Sequence, residues 1–366
     1  MEKMVIGYDA KRAFCNRTGL GNYSRGVVHG RWSSVLYTPK ITLQWDGVPE
    51  GATVRRPQGL WRLMPSLWRT LAPAQHVQAD GVQIYHGLSH ELPLGLPKKV
   101  RKVVTMHDLI VRRYPKYFSV FDRIVHRLKQ RHACRVADIV VAISEQTKRD
   151  LIDMMGVPEE KIKVVYQSCE RQFWESVRDE RSVKSVREKY GLPERYFICV
   201  GTVEQRKNQF CAISAVRRMP EDVALVIIGR PRGRYGRFVE AASDGRRVRL
   251  LQGVPFADFP ALYAGAVASI YMSRFEGFGI PVLESLCCDT PVVTSNVSSM
   301  PEAGGDAALY ADPDDVDTVA AHLQHLLDDQ NFRQQCIEKG RIHRMMFAPE
   351  KVSADMLAVY KSLLDD

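Results

Sequence analysis

Arg274-Phe-Glu276-Gly-Phe-Gly279-Ile-Pro281-Val-Leu-Glu284 follows the apolar run Ala268–Met272 and leads into a helical pattern over Ile280–Cys288. The order is strand, tight loop, helix, with Pro281 suited to the first helical turn. Gly277 and Gly279, on either side of Phe278, let the backbone come close to a ligand, and the helix start offers unpaired N–H groups to oxygens. Glu284 stands about a turn and a half into the helix. Its side chain leans back toward the N-terminus, where it can share a ligand with Glu276. Two readings of the carboxylates stay open on spacing alone. They can accept hydrogen bonds from sugar and ribose hydroxyls, or they can be ordinary helix-start acids favoured by the dipole.

Working outward, short β-rich runs alternate with longer amphipathic ones, the pattern of a doubly wound parallel sheet. In the second half the expected strands are Tyr196–Val200, Val223–Ile228, Val248–Leu251, Ala268–Met272 and Pro291–Thr294. The expected helices there are Gln209–Arg218, Asp258–Ala264, Ile280–Cys288, Val316–Asp328 and Asn331–His343. The first half offers strands at Val5–Tyr8, Val82–His86, Lys102–Met106 and Asp138–Ile143, with helices at Phe121–Ala137 and Thr147–Met154. A polar stretch, Glu170–Lys189, reads as the linker between them. The expected organisation is an N-terminal domain with linker over 1–180, a second domain over 181–345 and a closing helix within 346–366 that packs back toward the first domain. At 366 residues the chain is long enough for two such cores. Paired open sheets of this kind bind ligands outside the carboxyl ends of their strands.

Composition narrows the class. With 45% apolar and 26% charged residues the chain is an ordinary globular protein. It has no apolar stretch of about 20 residues to cross a bilayer and no signal-like start, so a cytoplasmic location is expected. The eight cysteines include no C-x-x-C pair, which favours buried reduced thiols over a disulfide framework or zinc site. The net charge of +10 is concentrated: residues 1–180 carry 29 Lys and Arg against 18 Asp and Glu. An anionic partner for the first half follows, phosphate or an acidic membrane surface. A nucleic-acid binder is the competing class, disfavoured because the excess sits in one half and no nucleic-acid motif is present.

Further groups carry chemistry. Arg206 and Lys207 lie between an apolar strand and a helix beginning near Asn208, where two cations and a helix start suit a diphosphate. Gly19 and Gly21 follow the first strand and allow close backbone approach to phosphates. His107 ends a buried-looking strand, where an imidazole can donate to a sugar hydroxyl. Asp108 beside it can orient the ring or cap the next turn. Asp312-Pro-Asp314 imitates a divalent-metal D-x-D but precedes a helix that an Asp would cap. His86 and His90 are separated by loop-forming Gly87 and Ser89, so no metal site is expected. Gly59-Leu-Trp61-Arg62-Leu-Met-Pro-Ser-Leu-Trp68-Arg69, Arg112 to Phe118 and the basic helix Phe121–Ala137 combine aromatics with cations. That combination suits the headgroup zone of an anionic membrane or a solvated basic rim over core tryptophans.

Glu276-x7-Glu284 enclosing Gly-Phe-Gly resembles the signature of the family-4 retaining glycosyltransferases. Four more pieces occur in that family's order: Thr18-Gly-Leu-Gly21-Asn-Tyr, Thr105-Met-His107-Asp108, Ala142-Ile-Ser144-Glu145 and Gly201-Thr-Val-Glu-Gln-Arg206-Lys207-Asn208. The resemblance implies a GT-B fold, two Rossmann-like domains facing a central cleft, the first (1–180) binding the acceptor and the second (181–345) the nucleotide-sugar. It implies a nucleotide-sugar donor held by Gly19, Gly21, Arg206, Lys207, Gly277, Phe278, Gly279 and Glu284, catalytic Glu276 and His107, and no bound metal or other cofactor. His86-Gly-Leu-Ser-His90-Glu91-Leu-Pro93 is similar to bacterial mannosyltransferases of surface-polysaccharide assembly. That similarity implies GDP-mannose as donor, a UDP-sugar being the alternative, and a glycan or polyprenyl-diphosphate-linked acceptor. Two departures stand out: Thr202 replaces an Arg common after the strand glycine, and Val165-Tyr-Gln-Ser-Cys169-Glu lacks the usual Pro-x-Gly.

Overall fold

The computed structural model describes residues 4–16, 19–30, 32–71, 73–175 and 179–365. The chain forms two compact units, one of residues 1–168 together with 349–366, the other of residues 169–348.

In the first unit seven strands form one sheet: β1 (Val5–Asp9), β2 (Ser33–Tyr37), β3 (Thr53–Arg55), β4 (Ile84–Gly87), β5 (Arg101–Met106), β6 (Ile139–Ala142) and β7 (Ile162–Val164). All the pairings are parallel, in the order β3-β2-β1-β4-β5-β6-β7. The chain leaves β1 for one side and returns on the other at β4. The carboxyl-end crevice of this sheet therefore opens between β1 and β4. The second unit repeats the plan with β8 (Tyr196–Val200), β9 (Ala224–Ile228), β10 (Val248–Leu251), β11 (Ala268–Tyr271), β12 (Val292–Ser295) and β13 (Ala308–Ala311). Their order is β10-β9-β8-β11-β12-β13, again parallel, which puts the switch between β8 and β11.

The central strands read as continuous apolar runs because helices cover both faces of a parallel sheet. Tyr196–Val200 and Ala224–Ile228 are buried at every position. Helix boundaries follow local chemistry. Ser144 caps Glu145–Met155 by accepting from the Thr147 N–H, and Gly156, at φ 63°, closes it in the left-handed conformation.

The pattern missed β2, β3, β7 and β13 and, among the helices, Gly19–Val28, Pro65–Leu71 and Gly233–Ala242. β3 and β7 have three residues each, too few for a period. β13 is Ala-Leu-Tyr-Ala and becomes a strand by pairing with β12 rather than by propensity. Two glycines dilute the helical signal of Gly233–Ala242. The supposed linker is structured instead: Arg171–Glu175 and Glu180–Lys189 are helices of the second unit, and the division falls at Ser168/Cys169 rather than at 180. Polar outer faces made these helices look like a solvated connector.

Helix Pro349–Ser362 belongs to the first unit. Its Tyr360 hydroxyl meets His86 Nδ1 at 2.6 Å and the Tyr8 hydroxyl at 3.3 Å, and His86 Nε2 reaches Thr105 Oγ1 at 2.8 Å. Tyr8, His86, Thr105 and Tyr360 are fully buried, so these bonds satisfy groups that water does not reach. Tyr360→Phe is expected to destabilise the chain by about 1–3 kcal/mol, because it strands buried partners. Urea unfolding measures this, and an unchanged midpoint would show that the last helix is not held through Tyr360.

Candidate active site

In the second unit the loops after β8 and β11, the two strands that flank the switch, meet side by side. Backbone joins them directly: Arg274 N–H donates to the Arg206 carbonyl at 2.9 Å. After β8, Gly201 takes φ 137°, Gln205–Lys207 form one 3-10 turn, and Asn208 turns left-handed at φ 55° before helix Gln209–Val216. Asn208 is held there by its side-chain amide, which donates to the Pro313 carbonyl at 2.7 Å. After β11, Gly279 at φ 128° opens helix Ile280–Cys287, and a Cβ at this position would come within 2.9 Å of Met300 Cε. The positive φ favours glycine here, and a Cβ would also make the Met300 methyl give way.

Glu276 is the centre of this arrangement. One oxygen, Oε1, lies 2.6 Å from Arg206 Nη1 and 3.4 Å from Lys207 Nζ, and it accepts from the Tyr271 hydroxyl at 2.8 Å and Ser273 Oγ at 2.9 Å. Lys207 Nζ also donates to the Tyr271 hydroxyl at 2.7 Å. Burial by itself would raise the Glu276 pKa. Lys207, Arg206 and the two hydroxyls outweigh it and hold the carboxyl down at about 2. The loop that carries it is fixed by Ser298 and Ser299, whose hydroxyls donate to the Glu276 carbonyl at 2.7 and 2.9 Å.

Sequence reading placed Arg206 and Lys207 beside a helix start as a diphosphate site. The structure shows both engaged: Arg206 also donates to the Phe275 carbonyl at 2.5 Å and pairs with Glu204 at 2.7 Å. The group is a compensated cluster, because two buried cations without counter-charges are costly. Tyr271, Ser273 and Glu204 were not foreseen, since nothing in their spacing marks them as partners of Glu276.

Glu284 behaves differently from Glu276. It is 7% exposed and accepts from the Tyr263 hydroxyl at 3.1 Å. Burial pushes its pKa up to about 8, only partly offset by Tyr263. At neutral pH it is a carboxylic acid, which corrects the expectation of a carboxylate. Lys207 lies near enough to act on both acids. Phe278 is a core residue, 2% exposed, with its ring 5.1 Å from that of Phe347, so its side chain is packing rather than lining. Gly277 sits in the loop between Glu276 and Phe278.

In the first unit His107 follows β5 and is 5% exposed. Its Nε2 lies 2.9 Å from the Leu88 carbonyl. A carbonyl only accepts, so Nε2 carries the proton and Nδ1 keeps the lone pair. Burial, with His90 nearby, pushes the ring down to about 3, so it stays neutral. His107 thus offers a hydrogen-bond acceptor at Nδ1, where a donor was expected. Asp108 accepts from the Ile110 N–H at 3.0 Å, the capping alternative. Gly19 and Gly21 begin helix Gly19–Val28 rather than a loop. A Cβ on Gly21 would lie 2.0 Å from the Asn16 carbonyl oxygen, while Gly19 is open. Thr18 of the same motif lies outside the described residues.

Among the described residues no group of three or more His, Cys, Asp and Glu is arranged to hold a metal. Asp314 pairs with Arg274, and the helix Val316–Asp328 is capped by Asp315, not by either acid of the D-x-D. All eight cysteines are free and seven are buried.

Comparison with known proteins covers both units. Residues 182–343 match the model of glycosyl transferases group 1, and residues 27–170 that of glycosyltransferase family 4. The O-antigen chain mannosyltransferase B of Escherichia coli is 32% identical over 289 residues, 76% of this chain and 74% of that protein. The O-antigen chain mannosyltransferase RfbU of Salmonella typhimurium is 26% identical over 261 residues, 69% of each chain. The crystal structure of Anabaena HepE in complex with UDP and glucose superposes with a TM-score of 0.76 at 16% identity, over 99% of this chain and 100% of that one, a likeness of fold. With its two parallel-sheet units and these matches, the chain belongs to the family-4 glycosyltransferases of GT-B fold.

Proposed function

We propose that this glycosyltransferase moves mannose from GDP-mannose, with retention of the anomeric configuration, to a hydroxyl of a glycan or polyprenyl-diphosphate-linked acceptor in cell-surface polysaccharide synthesis. The observation that carries the reading is the Glu276 cluster at the β8/β11 switch. The two mannosyltransferase relatives support the choice of sugar. Arg206, Lys207 and the start of helix Ile280–Cys287 suit a leaving diphosphate, where negative charge grows in the transition state. On donor binding the cations exchange part of their pairing with Glu276 for phosphate oxygens, and the carboxylate turns to the sugar hydroxyls. In the first unit, His107 Nδ1 is available to accept from a sugar hydroxyl. The leaving phosphate itself takes the acceptor's proton, so neither metal nor separate base has a step in this scheme.

Lys207→Ala and Glu276→Gln are each expected to lower turnover roughly 10²–10³-fold while the chain still melts cooperatively. GDP is expected to raise the melting temperature more than UDP does, since a ligand of the native state stabilises it. Near-normal rates in both variants would remove this site. A larger shift with UDP would replace the donor.

Glu284 adds a pH signature. Its folded pKa of about 8 exceeds the ordinary 4.5, so its share of stability is complete below about 4.5 and is lost as pH rises toward about 8. The imidazoles His86, His90 and His107 titrate in the opposite sense, so the wild type is compared with Glu284→Gln. The melting temperature of the variant minus that of the wild type is expected to grow between about 4.5 and about 8 and then level. A flat difference would mean that Glu284 is ionised in the folded chain.

We also propose peripheral contact with an anionic membrane at the cytoplasmic face. Trp68, 1% exposed, is core and Trp61 is half-buried, so the tryptophans are not the anchors. The support comes from Leu60, Leu63, Phe121, Ile124 and Leu128, which are 53–80% exposed, beside Arg62, Arg123 and Arg127. No described helix is long and apolar enough to cross a bilayer. The chain is expected to float with anionic liposomes at low salt, and Phe121→Asp with Ile124→Asp to stay behind. Equal flotation of both proteins would sink the contact.

A further inference from the structure

The two cations beside Glu276 are held in different ways. Arg206 makes three close contacts, with Glu276 at 2.6 Å, Glu204 at 2.7 Å and the Phe275 carbonyl at 2.5 Å. Lys207 makes one: its Nζ donates to the Tyr271 hydroxyl at 2.7 Å, while Glu276 Oε1 stands at the longer distance of 3.4 Å. An ammonium carries three protons, so among the described residues Lys207 keeps donor capacity in reserve.

Tyr271 stands between this cation and the acid. Its neighbours fix its proton roles. An ammonium only donates and a carboxylate only accepts, so the hydroxyl accepts from Lys207 and gives its one proton to Glu276 Oε1 at 2.8 Å. Burial, with Glu276 beside it, holds the phenol well above its ordinary range, and it stays protonated.

The seat is rigid. Tyr271 ends β11, is 2% exposed, and lies in register with Thr294 of β12. The Thr294 hydroxyl donates to the Tyr271 carbonyl at 2.7 Å. Lys207 reaches the hydroxyl across Gly201, where a Cβ would lie 3.4 Å from both Cδ and Nζ. Its Nζ stands 5.1 Å from the centroid of the Tyr271 ring. Ring, hydroxyl and glycine backbone therefore lead the ammonium to one place.

We infer that Tyr271 is a positioning residue for the donor diphosphate: its hydroxyl keeps the Lys207 ammonium out of a tight pair with Glu276 and leaves the remaining Nζ protons for phosphate oxygens. The assignment rests on the glycosyl-transfer reading, in which Lys207 meets the donor. Without the hydroxyl, Lys207 closes on Glu276 Oε1. That closer pair competes with phosphate for the cation and with the sugar for the acid. Tyr271→Phe keeps the ring and strands no buried charge, because Lys207 retains Glu276, and Glu276 retains Arg206 and Ser273. The variant is therefore expected to fold.

The test is isothermal titration of the full chain with GDP-mannose, GDP and guanosine. Tyr271→Phe is expected to weaken GDP roughly tenfold and GDP-mannose further, since the acid that meets the sugar is tied up as well. Guanosine has no phosphate and is expected to bind as it does to the wild type. In a Lys207→Ala background the same substitution is expected to change GDP affinity by less than about twofold, because the group it positions is gone. Should UDP stabilise the wild type more than GDP, UDP and uridine take the same comparison. Equal weakening of nucleoside and nucleotide overturns the assignment, since damaged packing would produce it. Unchanged GDP affinity in Tyr271→Phe overturns it too, as does a loss that persists in the Lys207→Ala background. If Lys207→Ala itself binds the nucleotide as tightly as the wild type, the donor reading falls and takes this assignment with it, a failure distinct from the other three.

Discussion

A buried carboxylate kept ionised is the constraint around which the second unit's site is built. Glu276, with 16% of its side chain exposed, would be neutral if burial acted alone. It stays charged because Arg206 and Lys207 come to it from the neighbouring strand's loop and two hydroxyls donate to the same oxygen. The dependence is mutual, since the cations would be equally costly without it. The backbone bond from Arg274 to the Arg206 carbonyl and the serine clamps on the Glu276 carbonyl then fix two loops that lie far apart in sequence. A ligand entering such a cluster exchanges one set of charge partners for another, rather than meeting bare charge.

The first unit solves a related problem without ions. His86 and His107 are neutral, and each ring nitrogen that makes a hydrogen bond does so with a neutral oxygen. Tyr23 ties into the same chain through Thr105 at 2.8 Å and sets its ring edge-on to His107, 4.6 Å between centroids. The final helix supplies Tyr360 to this chain, so the end of the sequence helps to order side chains at the carboxyl ends of β4 and β5. Protonating either ring would put a charge among groups that cannot balance it, hence their low pKa values.

Glu276 and Glu284 show how far one motif can separate two identical side chains. They lie on one loop and its helix, eight positions apart. One meets two cations and falls to about 2; the other meets a tyrosine hydroxyl in an apolar setting and rises to about 8. The motif predicts that both acids matter, yet their protonation states come from residues that the motif does not contain.

The sequence by itself determined the two-sheet α/β class, the long central strands and the loops that carry chemistry. Those features are written in local periods, in glycines at obligatory turns and in five ordered motifs. Short strands such as β3 and β7, and the alanine-rich β13, stayed illegible because pairing with a neighbour, not propensity, makes them strands. Only the tertiary structure decided that Arg171–Glu175 and Glu180–Lys189 are helices, that Trp68 is core, that Arg206 and Lys207 are already paired, and that His107 accepts rather than donates. The physical reason is common to all four: burial and charge pairing depend on residues brought together from distant parts of the chain, which no local pattern encodes.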